Sequence, residues 1–184
     1  MDAITALTTR VSPAKLGEPG PSSAQLERLI AAAAAAPDHG RMRPWRFVVI
    51  EGAARQRFGD VLANALQRRE PTAPAGKIEA ERQKAMRAPM ILAIAAATQD
   101  NPKVPEIEQI VAVGAAAQNI LVAAHAMGLG GFWRTGAPAY DPEIKAALGF
   151  GRDDTIVAFL YLGTVALAGP PRAVEPAPIV RRFA

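Results

Sequence analysis

The chain has 184 residues, half of them hydrophobic and about a fifth charged, with a formal net charge of +4. That length fits one domain, residues 1–184, with a real core, and the apolar fraction excludes a disordered chain. It contains no cysteine, so disulfides, thiolate metal sites, iron–sulfur clusters and a cysteine nucleophile are excluded.

Asp2, with Ile4 and Leu7 at helical spacing, predicts a short helix over residues 2–10 that stops before Ser12-Pro13. Residues 17–21 read as a turn. Ser22 and Gln25 form a capping box ahead of a helix running through Leu26, Leu29 and Ile30 into Ala31–Ala36. Pro37-Asp38-His39-Gly40 breaks that helix. Trp45–Ile50 reads as a strand. Residues 53–69 form an amphipathic helix with Phe58, Val61, Leu62 and Leu66 on one face. A loop over 71–76 leads to a more polar helix from Lys77 to about Met86. Met90–Ala97 is a continuous apolar strand.

The longest helix spans Pro105 to Met127, with Pro105 in its first position and Gly128 just past its end. Its second half is apolar nearly all round, which predicts burial on every side. Gln118, Asn119 and His125 interrupt the stretch, so a core helix is expected rather than a membrane span. Gly130–Arg134 is a short strand or loop, Asp141-Pro142 opens a small helix to Leu148, and Thr155–Thr164 is an apolar strand. A proline-bearing tail ends in Ile179-Val180-Arg181-Arg182-Phe183 and reads as an arm, residues 168–184, that docks on a second subunit. The order of elements predicts an α+β three-layer fold. No basic leader opens the chain, so a cytoplasmic protein without membrane association is expected.

The basic excess lies in the first half, where 14 Lys/Arg face 9 Asp/Glu; residues 93–184 carry 7 against 8. Such a half suits an anionic ligand. The arginines are dispersed and not interleaved with aromatics, so no nucleic-acid partner is expected. Two histidines, His39 and His125, without HExxH spacing predict no metal site. There is no GxSxG elbow, no P-loop and no GxGxxG after a strand, so no self-contained catalytic set is expected.

Three clusters combine a basic group with a turn: Arg10-Val11-Ser12, then Ala36–Gly40 with Arg43–Phe47, then Gly128–Thr135. An arginine fork and a serine hydroxyl suit a phosphate, and together the clusters suit a planar phosphorylated ligand.

These blocks resemble the flavin-dependent nitroreductases, in particular their short single-domain group. The resemblance rests on Arg10-Val11-Ser12 with Glu18-Pro19, on Ala36-Pro37-Asp38-His39, and on Pro44 through Gly52. Arg87-Ala88-Pro89, Lys103-Val104-Pro105, Gly130 through Gly136 and Phe159 through Thr164 follow in the same order. It implies a central, mostly antiparallel sheet flanked by helices, and a homodimer with an exchanged C-terminal arm. FMN at the subunit interface is implied, with NAD(P)H as reductant and a small electron-poor acceptor such as a nitroaromatic or quinone. Arg10, Val11 and Ser12 would hold the phosphate end, and His39 would touch the flavin from the partner subunit. Trp133, Arg134 and Thr135 would complete the site. Ala123, Ala124, His125, Ala126, Met127 and Gly128 fall where the nicotinamide nucleotide is assigned. The chemistry is then the cofactor's, and no catalytic side chain is required. Lys15 is a candidate donor to the reduced flavin. Two positions depart from the pattern: Val11 stands where a second arginine is common, and Ala35 where the short group carries one. Both support an alternative, an FMN carrier, sensor or inactive homologue.

Overall fold

Strand β3 (Met90–Ala96) lies inside a five-stranded antiparallel sheet, and every one of its residues is buried. The structure, a computed structural model, describes residues 1–170. Most of the expected arm, including Ile179–Phe183, falls outside the described residues. Strand β3 pairs with β2 (Trp45–Glu51) on one side and with β5 (Thr155–Leu167) on the other. β5 then pairs with both β4 (Gly130–Arg134) and β1 (Lys15–Gly17) along its far edge.

The apolar run of β3 is continuous because helices cover both of its faces. Met90, Leu92, Ile94 and Ala96 point into one core, shared with helices α2 (Ser23–Ala34) and α5 (Glu106–Ala126). Ile91, Ala93 and Ala95 point into the other, shared with α3 (Ala54–Arg69) and α6 (Pro142–Ala147). Helix α4 (Ala75–Arg82) packs on α3, and α1 (Ala3–Thr9) packs on α5. The result is the expected three-layer α+β arrangement.

Caps set the helix boundaries. Asp2 accepts from the Thr5 amide at 3.0 Å and opens α1. Ser22 and Gln25 form a reciprocal capping box for α2. Gly128, at φ +77°, closes α5 in a conformation that a side chain rarely adopts. Asp141 opens α6 by accepting from Glu143 and Ile144 at 3.0 and 3.2 Å, and Arg69 reaches it at 3.1 Å. Replacing Asp141 with alanine should cost about 1–2 kcal/mol, read as a lower urea midpoint with an unchanged slope.

Several expectations need correction. Gly17, read as the start of a turn, instead ends the strand Lys15–Gly17, because β5 runs past Thr164 to Leu167 and offers it an edge. The alanine-rich helix stops at Ala34, so Ala35 and Ala36 lie outside it. The polar helix starts earlier, at Ala75, and tightens into a 3-10 turn over Gln83–Met86. Pro105 is the N-cap of α5, not its first helical residue. The second half of α5, expected to be buried on every side, leaves Gln118 and Ala126 exposed, and the first half is more open still. Ile107 and Val111 are each 63% exposed, and Gly114, Ala115, Gln118 and Val122 continue an open stripe along the same face.

Candidate functional site

Arg10, Val11 and Ser12 follow α1 directly, where Arg10 ends the helix in an extended conformation. Thr9 Oγ1 lies 3.0 Å from His125 Nε2 in the last turn of α5, which pins this segment to that helix end. The Nη1 atom of Arg10 is buried and has no hydrogen-bond partner among the described residues. A buried guanidinium nitrogen without an acceptor is costly, so its presence points to an acceptor supplied from outside. Ser12 is exposed beside it, and Val11 is half-buried.

The chain next enters β1, and Pro13, Lys15 and Leu16 line a cavity of about 330 Å³. Phe132, Arg134 and Arg87 also line it. Of the expected site residues, Lys15 and Arg134 thus line one cavity, whereas Arg10, Val11, Ser12, Trp133 and Thr135 do not line it. Along β4 the side chains alternate. Phe132 faces the α3 side and stacks on Tyr161 at 4.8 Å, while Arg134 sits 5.3 Å over the Phe132 ring. Trp133 points to the other face, half-buried against the α5 core. Arg134 and Thr135 are exposed.

His39 is elsewhere. It begins a 3-10 turn over His39–Arg41, held by Asp38, whose Oδ2 accepts from the Arg43 amide at 2.7 Å. Gly40, Arg41 and Arg43 all have positive φ, so this loop is tightly wound. His39 Nδ1 lies 2.5 Å from Glu108 Oε2 in the first turn of α5. With its 21 residues, α5 is about 30 Å long. His39 stands at its N-terminal end, and the Arg10 cluster at its C-terminal end. One chain does not bring them together.

Ala123–Gly128 form the closing turn of α5. The carbonyls of Ala123, Ala124 and His125 accept from Met127, Gly128 and Leu129 or their neighbours, and Ala124 is fully buried. Only Ala126 and Gly128 are exposed there. Sequence reading missed Arg87, Tyr161 and Glu108 as site residues. Arg87 lay in the Arg87-Ala88-Pro89 block, whereas nothing in the spacing of 69 positions marked Glu108 as the partner of His39. No group of metal-ligating side chains occurs among the described residues.

A model of the Nitroreductase family matches residues 10–164. The "Putative NAD(P)H nitroreductase YdjA" of Escherichia coli strain K12 is 40% identical over 185 residues, covering all of both chains. A crystal structure of a variant of NfnB, an FMN- and NADPH-dependent nitroreductase of Sphigopyxis sp. strain HMH, superposes with a TM-score of 0.81. It is 20% identical and covers all of both chains. A nitroreductase of Desulfitobacterium hafniense with bound FMN gives a TM-score of 0.71 at 18% identity, again over both chains in full.

Proposed function

The chain belongs to the nitroreductase family, and on that premise we propose that it is an FMN-dependent oxidoreductase working as a homodimer. It would pass a hydride from NAD(P)H to a small electron-poor acceptor such as a nitroaromatic or quinone. The observation that carries this reading is the orphaned Nη1 of Arg10 next to the exposed Ser12. An arginine fork and a hydroxyl, followed directly in the chain by residues 13–16 that line a cavity, fit a phosphate monoester on a flat ring. The names of the relatives supply FMN and NAD(P)H as the ligands to test.

FMN, when bound, supplies the two-electron redox chemistry. The chain's residues bind, orient and shield. Arg10 and Ser12 take the phosphate, with the Val11 backbone between them. Trp133, Arg134 and Thr135 close the site at the end of β4, and Lys15 offers a positive charge in the cavity it shares with Arg134. The nicotinamide nucleotide has the exposed part of Ala123–Gly128, at Ala126 and Gly128, as its nearest contact on α5.

The homodimer reading rests on the distance between the two halves of the site. Two copies packed antiparallel along the open stripe of α5 place His39 of the partner subunit at the Arg10 end. Glu108 occupies Nδ1 of His39 and leaves its Nε2 edge to face the cofactor.

The test is anaerobic. Protein loaded with FMN should lose its flavin absorbance on adding NAD(P)H and regain it on adding a nitroaromatic or a quinone. Retained colour under excess NADH and NADPH would instead support the carrier reading that Val11 and Ala35 favour.

A further inference from the structure

A second cavity, of about 400 Å³, lies between α3, α4 and the β4–β5 pair, and shares Arg87 and Arg134 with the cavity of Lys15. Its floor is apolar, made by Phe58, Leu62, Leu66 and Phe159. Its rim is cationic. Three of the rim cations are matched: Lys77 to Glu70 at 2.5 Å, Lys84 to Glu81 at 2.6 Å and Arg69 to Asp141 at 3.1 Å. Arg87 and Arg134 have no carboxylate within 4.0 Å among the described residues.

The Tyr161 hydroxyl makes no hydrogen bond among the described residues either, although the residue is only 5% exposed. Burial pushes its pKa up to about 12, against the pull of Arg87 and Arg134. It therefore remains a neutral donor throughout the neutral range. Its ring is held by the Phe132 stack, so the donor is fixed in direction. An apolar floor with a few converging donors describes a small-molecule pocket. Two unmatched guanidinium forks and a hydroxyl give that pocket a preference for a planar monoanion.

We propose that this cavity receives the electron acceptor, and that the acceptor is an organic anion: a ring-sized apolar body whose carboxylate is held by Arg87. The proposal rests on the flavin lying along Lys15 and Trp133–Thr135, because Arg87 and Arg134 border both cavities.

The experiment compares 4-nitrobenzoate with 4-nitrotoluene, which lacks only the charge, on the FMN-loaded protein and its Arg87→Gln variant. Arg87 is exposed at the end of the 3-10 turn, so the exchange spares the core. The ratio of kcat/KM, charged over neutral, should fall at least tenfold in the variant, mainly through KM, and Arg87→Lys should recover part of it. Arg87 also lines the cavity of Lys15, so both acceptors are compared at saturating FMN, where a change at the flavin falls on both alike. Equal losses on both acceptors would overturn the proposal and assign Arg87 to the flavin. Titration of 4-nitrobenzoate into the oxidised proteins by calorimetry separates the two readings. If neither acceptor is reduced, binding that needs Arg87 upholds the anion site while the redox reading fails. No binding to the parent protein overturns the site itself.

Discussion

Replacing Arg10 with alanine should weaken FMN binding by roughly 10- to 100-fold, the worth of a charge-assisted hydrogen bond of about 1.5–3 kcal/mol. The expectation comes from the only guanidinium in the described residues with a buried nitrogen lacking any acceptor. Val11 leaves no second arginine to compensate, and Ser12 alone offers one uncharged donor. Arg10→Lys should fall between, because it keeps the charge and loses the planar fork. Quenching of flavin fluorescence on titration into apoprotein gives the dissociation constants directly. An alanine variant that binds FMN as tightly as the parent would mean that the buried nitrogen serves another group, and the phosphate would have to be placed elsewhere.

The parts of this molecule that were legible in the sequence are those decided locally. Asp2, Ser22, Asp141 and Gly128 marked helix ends because capping depends on residues within one turn. Met90–Ala97 was readable as a buried strand because eight consecutive apolar residues need cover on both faces. Strand β1 was not legible. Three residues, Lys15–Gly17, carry no period, and they become a strand only through a long-range edge on β5. The same limit applies to the site. Arg10-Val11-Ser12 and Trp133-Arg134-Thr135 were legible as motifs, but the shared cavity of Lys15 and Arg134 is a product of sheet topology. The tie between His39 and Glu108 spans 69 positions, and no local pattern announces it. The all-round apolar character of α5 was read correctly as composition and wrongly as burial. Alanine, glycine and valine look alike on an inner face and on a face that awaits a second subunit.

That open face leads to the larger expected effect. Val111→Glu should convert the dimer to monomer, raising its dissociation constant at least about 100-fold, since facing like charges across an interface costs several kcal/mol. Val111 is 63% exposed and lies on the stripe that begins at Ile107, one turn from Glu108. In a two-fold pairing each substitution acts twice, once per copy. The chain's own fold loses little, because the side chain already meets solvent there. No neighbour stands within 4 Å of a side chain at Gly114, further along the stripe, so a second helix can approach closely. Sedimentation velocity reads the change in mass, and circular dichroism confirms that the monomer remains folded. FMN affinity should fall with the dimer, because His39 and the Arg10 cluster occupy opposite ends of α5 and only the proposed pairing of two copies would bring them together. A folded monomer that retains full FMN affinity would place the whole cofactor site within one chain, and His39 would lose its assigned role. A variant that stays dimeric would show that the copies meet on another face.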